Sequence, residues 1–434
     1  LFGVLCVVAV AVVAYAAVAW RPAIAPVETP APESFAPDLV ARGKMLASGG
    51  NCATCHTASD GQPFAGGYAM ATPFGTIYTT NITPDGETGI GRWSLAAFTR
   101  AMREGVSRDG RHLFPAFPYT HFALMTDDDI GAIYAYLMTV PPAKAAARPS
   151  TLPFPLDVRA LQAGWKMLFF KPEPFRADPE KSAAWNRGAY LSEGLAHCAA
   201  CHTPRNILGA ESVGHPYYGA LIEDDWWAWP LHYSFSPLAW TKDELASFLR
   251  GNVTPHGRAV GPMGPVVQSL AALPDSDIDA IATYFGDLIR PVSANPEKVV
   301  AEVMERSRSR ATGLPGDRGR QLYYAACASC HDDGGSSPLA TRMELMVNSA
   351  LWYPRPNNFV LAVLDGVGSN PTDAKGPLMP PFRNALSDEE ILAIGDYLRV
   401  DRLRQPAWPI YLYKVDRMRD HPPPEPRPRD AKPK

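Results

Sequence analysis

Six of the seven cysteines fall into three Cys-x-x-Cys pairs, Cys52/Cys55, Cys198/Cys201 and Cys327/Cys330, and each pair is followed at once by a histidine: His56, His202 or His331. Random placement of these residue types in a chain of this length would give about 0.003 such motifs, so finding three is a chemical signal. Two cysteines three apart can reach the two vinyl groups of one porphyrin as thioethers, and the adjacent histidine then falls under the iron as its proximal ligand. Zinc would want a second Cys or His pair per site. A redox dithiol has no use for the histidine that follows each pair. The motifs therefore predict three covalently bound haem c groups. The seventh cysteine, Cys6, lies in an apolar run and reads as an apolar filler.

The distal ligand decides whether each iron carries electrons or binds a small molecule. Methionine, which raises the haem potential, stands in two proline-braced loops. Met263 lies in Gly261-Pro262-Met263-Gly264-Pro265, 61 residues after His202, and Met379 lies in Pro377-Leu378-Met379-Pro380, 48 after His331. The same count of 61 from His56 lands on Phe117, in Pro115-Ala116-Phe117-Pro118. Phenylalanine cannot ligate iron. Of the neighbours His112, His121 and Met125, His121 is the expected distal ligand of the first haem, because Pro118 and Tyr119 turn the chain just before it. The remaining histidines, including His197, His215, His232, His256 and His421, show no metal-ligand spacing. Trp226, Trp227 and Trp229 form an aromatic cluster expected to pack around the second haem, with a docking patch as the alternative.

Three repeats of one order of signals must position these groups. Each Cys motif is entered by a short helix-like run (39–49, 185–194 and 319–326). Each repeat closes with an acidic-started amphipathic helix: DDDIGAIYAYL from Asp127, DSDIDAIATYF from Asp275 and DEEILAIGDYL from Asp388. These align without a gap, and their shared Ile, Ala-Ile and Tyr positions form one buried face. The acids occupy the first turn, where the helix dipole favours them, and Ser387-x-x-Glu390 reads as a capping box. A repeat this long is a whole domain and not a solenoid unit.

The first twenty residues carry no charge and at about 1.5 Å per residue span about 30 Å, enough to cross a bilayer once. A retained transmembrane anchor is expected, with a signal peptide cleaved near Ala17-Val18-Ala19 as the competitor. Proline, at 44 residues, is about twice its ordinary ~5% and favours short helices on irregular loops. A net charge of −3 offers no basic surface for a nucleic acid, which is excluded as a partner.

The chain resembles the membrane-bound trihaem cytochrome c subunits of periplasmic alcohol, aldehyde and gluconate dehydrogenases. The resemblance runs from Pro37 to Val400 and is carried by TPFGTIYTTNITPD from Thr72, GIGRWS from Gly89, FPAFPYTHF from Phe114, EDDWW from Glu223 and the loop around Met263. It implies that electrons are accepted from a catalytic dehydrogenase subunit, a molybdopterin, quinoprotein or flavoprotein enzyme, and passed to membrane ubiquinone. It also implies that Asn81 and its turn line the edge of the first haem. Two departures stand out: Phe117 replaces the family's usual Met, and Trp229 to Ser236 stand where the second repeat should copy the Thr-Asn-x-Thr-Pro-Asp turn. The Phe117 variant resembles the branch that serves molybdopterin aldehyde or heterocycle oxidoreductases.

The expected architecture is mainly α: three tandem cytochrome c domains (38–142, 185–290 and 317–401) behind one N-terminal transmembrane helix (1–20). Linkers occupy 21–37, 143–184 and 291–316, and a Pro-rich tail occupies 402–434, either disordered or strapped onto a partner. The expected role is an electron conduit on the periplasmic side of the inner membrane. The alternatives are a haem enzyme or sensor with an open first iron, or a donor to a terminal oxidase.

Overall fold

The computed structural model describes residues 2–291, 293–310, 317–331, 345–368, 379–409 and 415–420. It is helical, with two small antiparallel hairpins, Ala69–Thr72 with Gly75–Tyr78 and Ala220–Leu221 with Trp227–Ala228.

Each repeat is built on a crossing of two helices. In the first unit Pro37–Gly49 packs on Asp127–Thr139, in the second Ala183–Tyr190 on Asp275–Leu288, and in the third Arg318–Ala326 on Asp388–Asp396. Local chemistry sets their starts. Proline occupies the first turn of Pro37–Gly49. Thr126, Ser182 and Asp317 cap Asp127–Thr139, Ala183–Tyr190 and Arg318–Ala326 through their side-chain oxygens. Ser387 and Glu390 close the expected capping box.

The crossing itself is the same three times. Gly43, Gly188 and Gly319 lie against the backbone carbonyls of Ala132, Ala280 and Ala393, and a methyl on any of them would overlap that oxygen. The residue before each glycine is an arginine that pairs with the third residue of the closing helix: Arg42 with Asp129 at 2.6 Å, Arg187 with Asp277 at 2.7 Å and Arg318 with Glu390 at 2.6 Å. Glycine lets the helices approach, and the ion pair fixes their rotation.

The units are not separate beads. The first and second share one buried cluster that runs from Leu46 and Ile130 to Leu191, Leu195 and Ile281. Tyr190 Oη donates to Asp129 Oδ2 at 2.5 Å, and the Ser48 hydroxyl donates to the Ser269 carbonyl at 3.0 Å. The third unit has its own cluster, and Trp226 of the second unit is part of it. Trp227 and Trp229 pack on Tyr353 with ring centroids 5.4 and 5.0 Å apart, and Trp227 exchanges two backbone-to-amide hydrogen bonds with Asn358. The tryptophan cluster thus joins the second unit to the third.

Three segments depart from the sequence expectation. The first connector contains the helix Leu161–Phe169 and the second the helix Pro296–Arg310. In the tail, Val415–Asp420 folds back on the chain, with Arg417 on Asp225 at 2.9 Å and Arg419 on Asp388 at 2.5 Å, while Val415 and Met418 are buried. Residues 421–434, the rest of the expected strap, lie outside the described residues.

The N-terminal helix Phe2–Ala19 is apolar on every side, with a mean hydropathy of 2.6 and none of its length buried. Among the described residues it is the helix long and apolar enough to cross a membrane.

Candidate cofactor sites

The Cys motifs form single helical turns. Cys52–Cys55 is entered through Asn51 in the left-handed region, at φ 59°. The amides of His56, His202 and His331 close onto the carbonyls of Cys52, Cys198 and Cys327 at 2.9, 3.0 and 3.1 Å, which sets the histidine beside both thiols.

In the first unit His56 Nδ1 donates to the Thr80 carbonyl at 2.6 Å, and in the second His202 Nδ1 donates to the Trp229 carbonyl at 2.6 Å. A carbonyl can only accept, so the proton is on Nδ1 and the Nε2 lone pair is left for a metal. Burial also holds both imidazoles below their ordinary pKa, favouring that neutral form.

The surroundings repeat as well. Gly66 N–H donates to the His56 carbonyl at 2.8 Å and Gly219 N–H to the His202 carbonyl at 2.7 Å. Thr57 and Thr203 accept from the amides of Phe64 and Tyr217 at 3.2 and 3.0 Å. Gly66 and Gly219 both have positive φ, and a methyl on Gly66 would overlap the Thr80 carbonyl. Trp229 therefore does in the second unit what Thr80 does in the first, although the sequence turn is absent.

Asn81 is the hub of that first turn. Its Nδ2 donates to Thr88 Oγ1 at 3.0 Å and to the Ala143 carbonyl at 2.6 Å, and its Oδ1 accepts from the Thr83 amide and hydroxyl at 2.9 and 2.8 Å. It is 4% exposed. By locking the turn it holds the neighbouring Thr80 carbonyl on His56.

One continuous cavity of about 4040 Å³ reaches Cys52, Cys55 and His56, then Cys198, Cys201 and His202, then Cys327 and His331. Its volume is several times the roughly 300–1,000 Å³ of an ordinary ligand pocket. Asn81, Phe117, Met263 and Met379 line it. Met263 begins the helix Met263–Leu270, after Gly261 at φ 54° packs flush on Trp226. Met379 exchanges two backbone hydrogen bonds of 3.0 Å with Val367, while Pro377 and Leu378 of its loop lie outside the described residues.

Burial pushes the Cys52 and Cys198 thiols up to about 12 and those of Cys201 and Cys327 up to about 11. Redox and zinc-binding cysteines need the opposite shift, toward the thiolate. The donor set fits a porphyrin: paired thiols, imidazoles whose tautomer is fixed in the first two units, and thioethers around a largely apolar space.

His121 bridges the first unit and the second. Its Nδ1 donates to the Glu193 carbonyl at 2.7 Å, and its Nε2 meets Glu211 Oε1 at 2.8 Å. Ligation of an iron through Nε2 would require the Glu211 contact to break. Phe117 faces Phe122 with centroids 5.5 Å apart on the cavity wall.

The family models agree with the chemistry. The model for cytochrome c matches residues 40–141, and that for cytochrome c oxidase, cbb3-type, subunit III matches residues 315–398. The chain is 38% identical over 396 residues to the fructose dehydrogenase cytochrome subunit of Gluconobacter japonicus, covering 85% of this chain and 80% of that one. It is 37% identical over 382 residues to the gluconate 2-dehydrogenase cytochrome c subunit of Pantoea cypripedii, covering 83% and 85%. The chain belongs to the cytochrome c subunits of dehydrogenases. This cytochrome is also 44% identical over 412 residues to a nicotinate dehydrogenase subunit of Pseudomonas putida, where the match covers 94% of the cytochrome but only 34% of the longer relative.

Proposed function

We propose that this cytochrome carries three haem c groups and passes electrons from a catalytic dehydrogenase subunit to ubiquinone in the membrane. The observation that carries it is the single cavity onto which all three Cys-x-x-Cys-His motifs open. Bound haem c supplies one-electron exchange between ferric and ferrous iron. The protein's part is attachment through Cys52, Cys55, Cys198, Cys201, Cys327 and Cys330, proximal ligation by His56, His202 and His331, and distal ligation by Met263 and Met379. Apolar walls around bound haem would, with the thioether ligands, favour a raised potential.

The match to the nicotinate dehydrogenase of Pseudomonas putida and the Phe117 variant together support a partner that oxidises an aldehyde or an N-heterocycle. The helix Phe2–Ala19 supports a membrane anchor with the haem units on the periplasmic side. A haem assay on the purified chain should return three haems per polypeptide, and the protein should leave the membrane pellet only with detergent. Co-purification should bring down a dehydrogenase that reduces it. Recovery with a terminal oxidase instead would overturn the direction of electron flow.

A second reading has its own support. Phe117 stands at the methionine position, and both His121 nitrogens contact protein oxygens, which supports an open distal side on the first iron. A carbon monoxide-sensitive high-spin signal from one haem in three would favour an open site there.

A further inference from the structure

The helix Leu161–Phe169 is amphipathic in the reverse of the usual sense. Its one charged residue, Lys166, points inward, where Nζ donates to the carbonyls of Glu104 and Gly105 at 2.5 and 2.7 Å. Its outward stripe is apolar: Leu161, Met167 and Leu168 are 41%, 67% and 71% exposed. Phe154, on the approach to the helix, is 82% exposed. The turn bearing Ile207, 91% exposed, is held beside the helix by Trp165 Nε1, which donates to the Leu208 carbonyl at 2.9 Å. A ledge of this kind in water is a liability, and contiguous apolar surface marks contact with a partner or a membrane.

Its neighbour identifies the occupant. Tyr15, on the N-terminal helix, donates its hydroxyl to the Ala160 carbonyl at 2.8 Å and accepts from the Gly164 amide at 3.2 Å. Tyr15 lies four residues before Ala19, the last residue of that helix, a depth of about 6 Å at 1.5 Å per residue. That falls within the roughly 5–10 Å at which interfacial helices sit in the headgroup and acyl boundary.

We infer that Leu161–Phe169, with Phe154 and the Ile207–Leu208 turn, lies in the surface layer of the lipid bilayer that Phe2–Ala19 crosses. The inference rests on the anchoring reading and adds a second, monotopic contact to it. Leu161, Leu168, Ile207 and Leu208 also line the cofactor cavity, so the ledge brings one edge of that cavity to the lipid.

The test uses the full chain in phosphatidylcholine–phosphatidylglycerol vesicles that contain a diazirine-bearing phospholipid. After irradiation, mass spectrometry should find lipid adducts on peptides covering 152–170 and 207–208 as well as on 2–19. The double variant Met167→Lys/Leu168→Lys should lower the yield on 152–170 by roughly fivefold and leave that on 2–19 unchanged. Adducts confined to 2–19 would overturn the interfacial helix and leave the anchor in place. Absence of adducts on 2–19 would overturn the anchoring reading and this inference with it.

Discussion

His121 Nε2 stands 2.8 Å from Glu211 Oε1, and the pair ties the first helical unit to the second. Burial alone would lower the imidazole pKa, but the Glu211 carboxylate outweighs it and holds His121 above its ordinary 6.5. A raised imidazole contributes stability that is complete below its unfolded pKa and is lost as pH rises through the folded one. Glu211→Gln should cost about 1–3 kcal/mol at pH 5.5, and the difference from the parent should shrink toward pH 8.5, as read from urea unfolding. His121→Ala should leave the optical spectrum of every haem unchanged.

The glycine crossings can be tested against a control on the same helix set. Gly188→Ala drives a methyl into the Ala280 carbonyl and should destabilise by about 3 kcal/mol, at the upper end of ordinary overpacking. Gly131, inside Asp127–Thr139, has open space where a methyl group would stand. Gly131→Ala should therefore stabilise by about 0.5–1 kcal/mol. Thermal midpoints that move equally for both would remove the crossing as the cause.

Redox titration examines the distal ligands. Met263→Ala and Met379→Ala should each abolish one thioether-type low-spin signature and lower one of the three midpoint potentials. Phe117→Met should act in the opposite sense and raise the potential of the haem at Cys52 and Cys55. A titration in which Met263→Ala leaves all three midpoints in place would reassign that ligand.

Lys166 gives a separate pH signature. Burial, helped by the nearby Arg21 charge, holds its ammonium at about 7 against an ordinary 10.5. Between those values the unfolded chain binds more protons than the folded one, so stability should rise with pH. In Lys166→Met that rise should vanish, which denaturant midpoints collected from pH 7 to 10 would show.

The three helix crossings were legible because helix amphipathicity demands fixed side chains at fixed intervals. The Arg-Gly dipeptides at 42–43, 187–188 and 318–319 carried a readable signal for the crossings, since their arginines stand 10, 11 and 9 residues before the first Cys of each motif. The contact of His121 with Glu211 could not be read from spacing near Phe117, because Glu211 is ninety residues away. The tryptophan cluster likewise found Tyr353 and Asn358 across a unit boundary, beyond the reach of any local pattern. The helix Leu161–Phe169 went unread because its buried charge and exposed apolar stripe invert the pattern that marks a helix facing water.

His56 and His202 are oriented by the carbonyls of residue 80 and residue 229, atoms that every amino acid possesses. Threonine in one unit and tryptophan in the other are accordingly free to diverge while the contact persists. A side-chain scan would miss this contact at both positions, and at residue 229 it would report the packing on Tyr353 instead. Replacing the peptide oxygen's environment, by a backbone ester or an inserted residue, is what would make the two carbonyl contacts themselves visible.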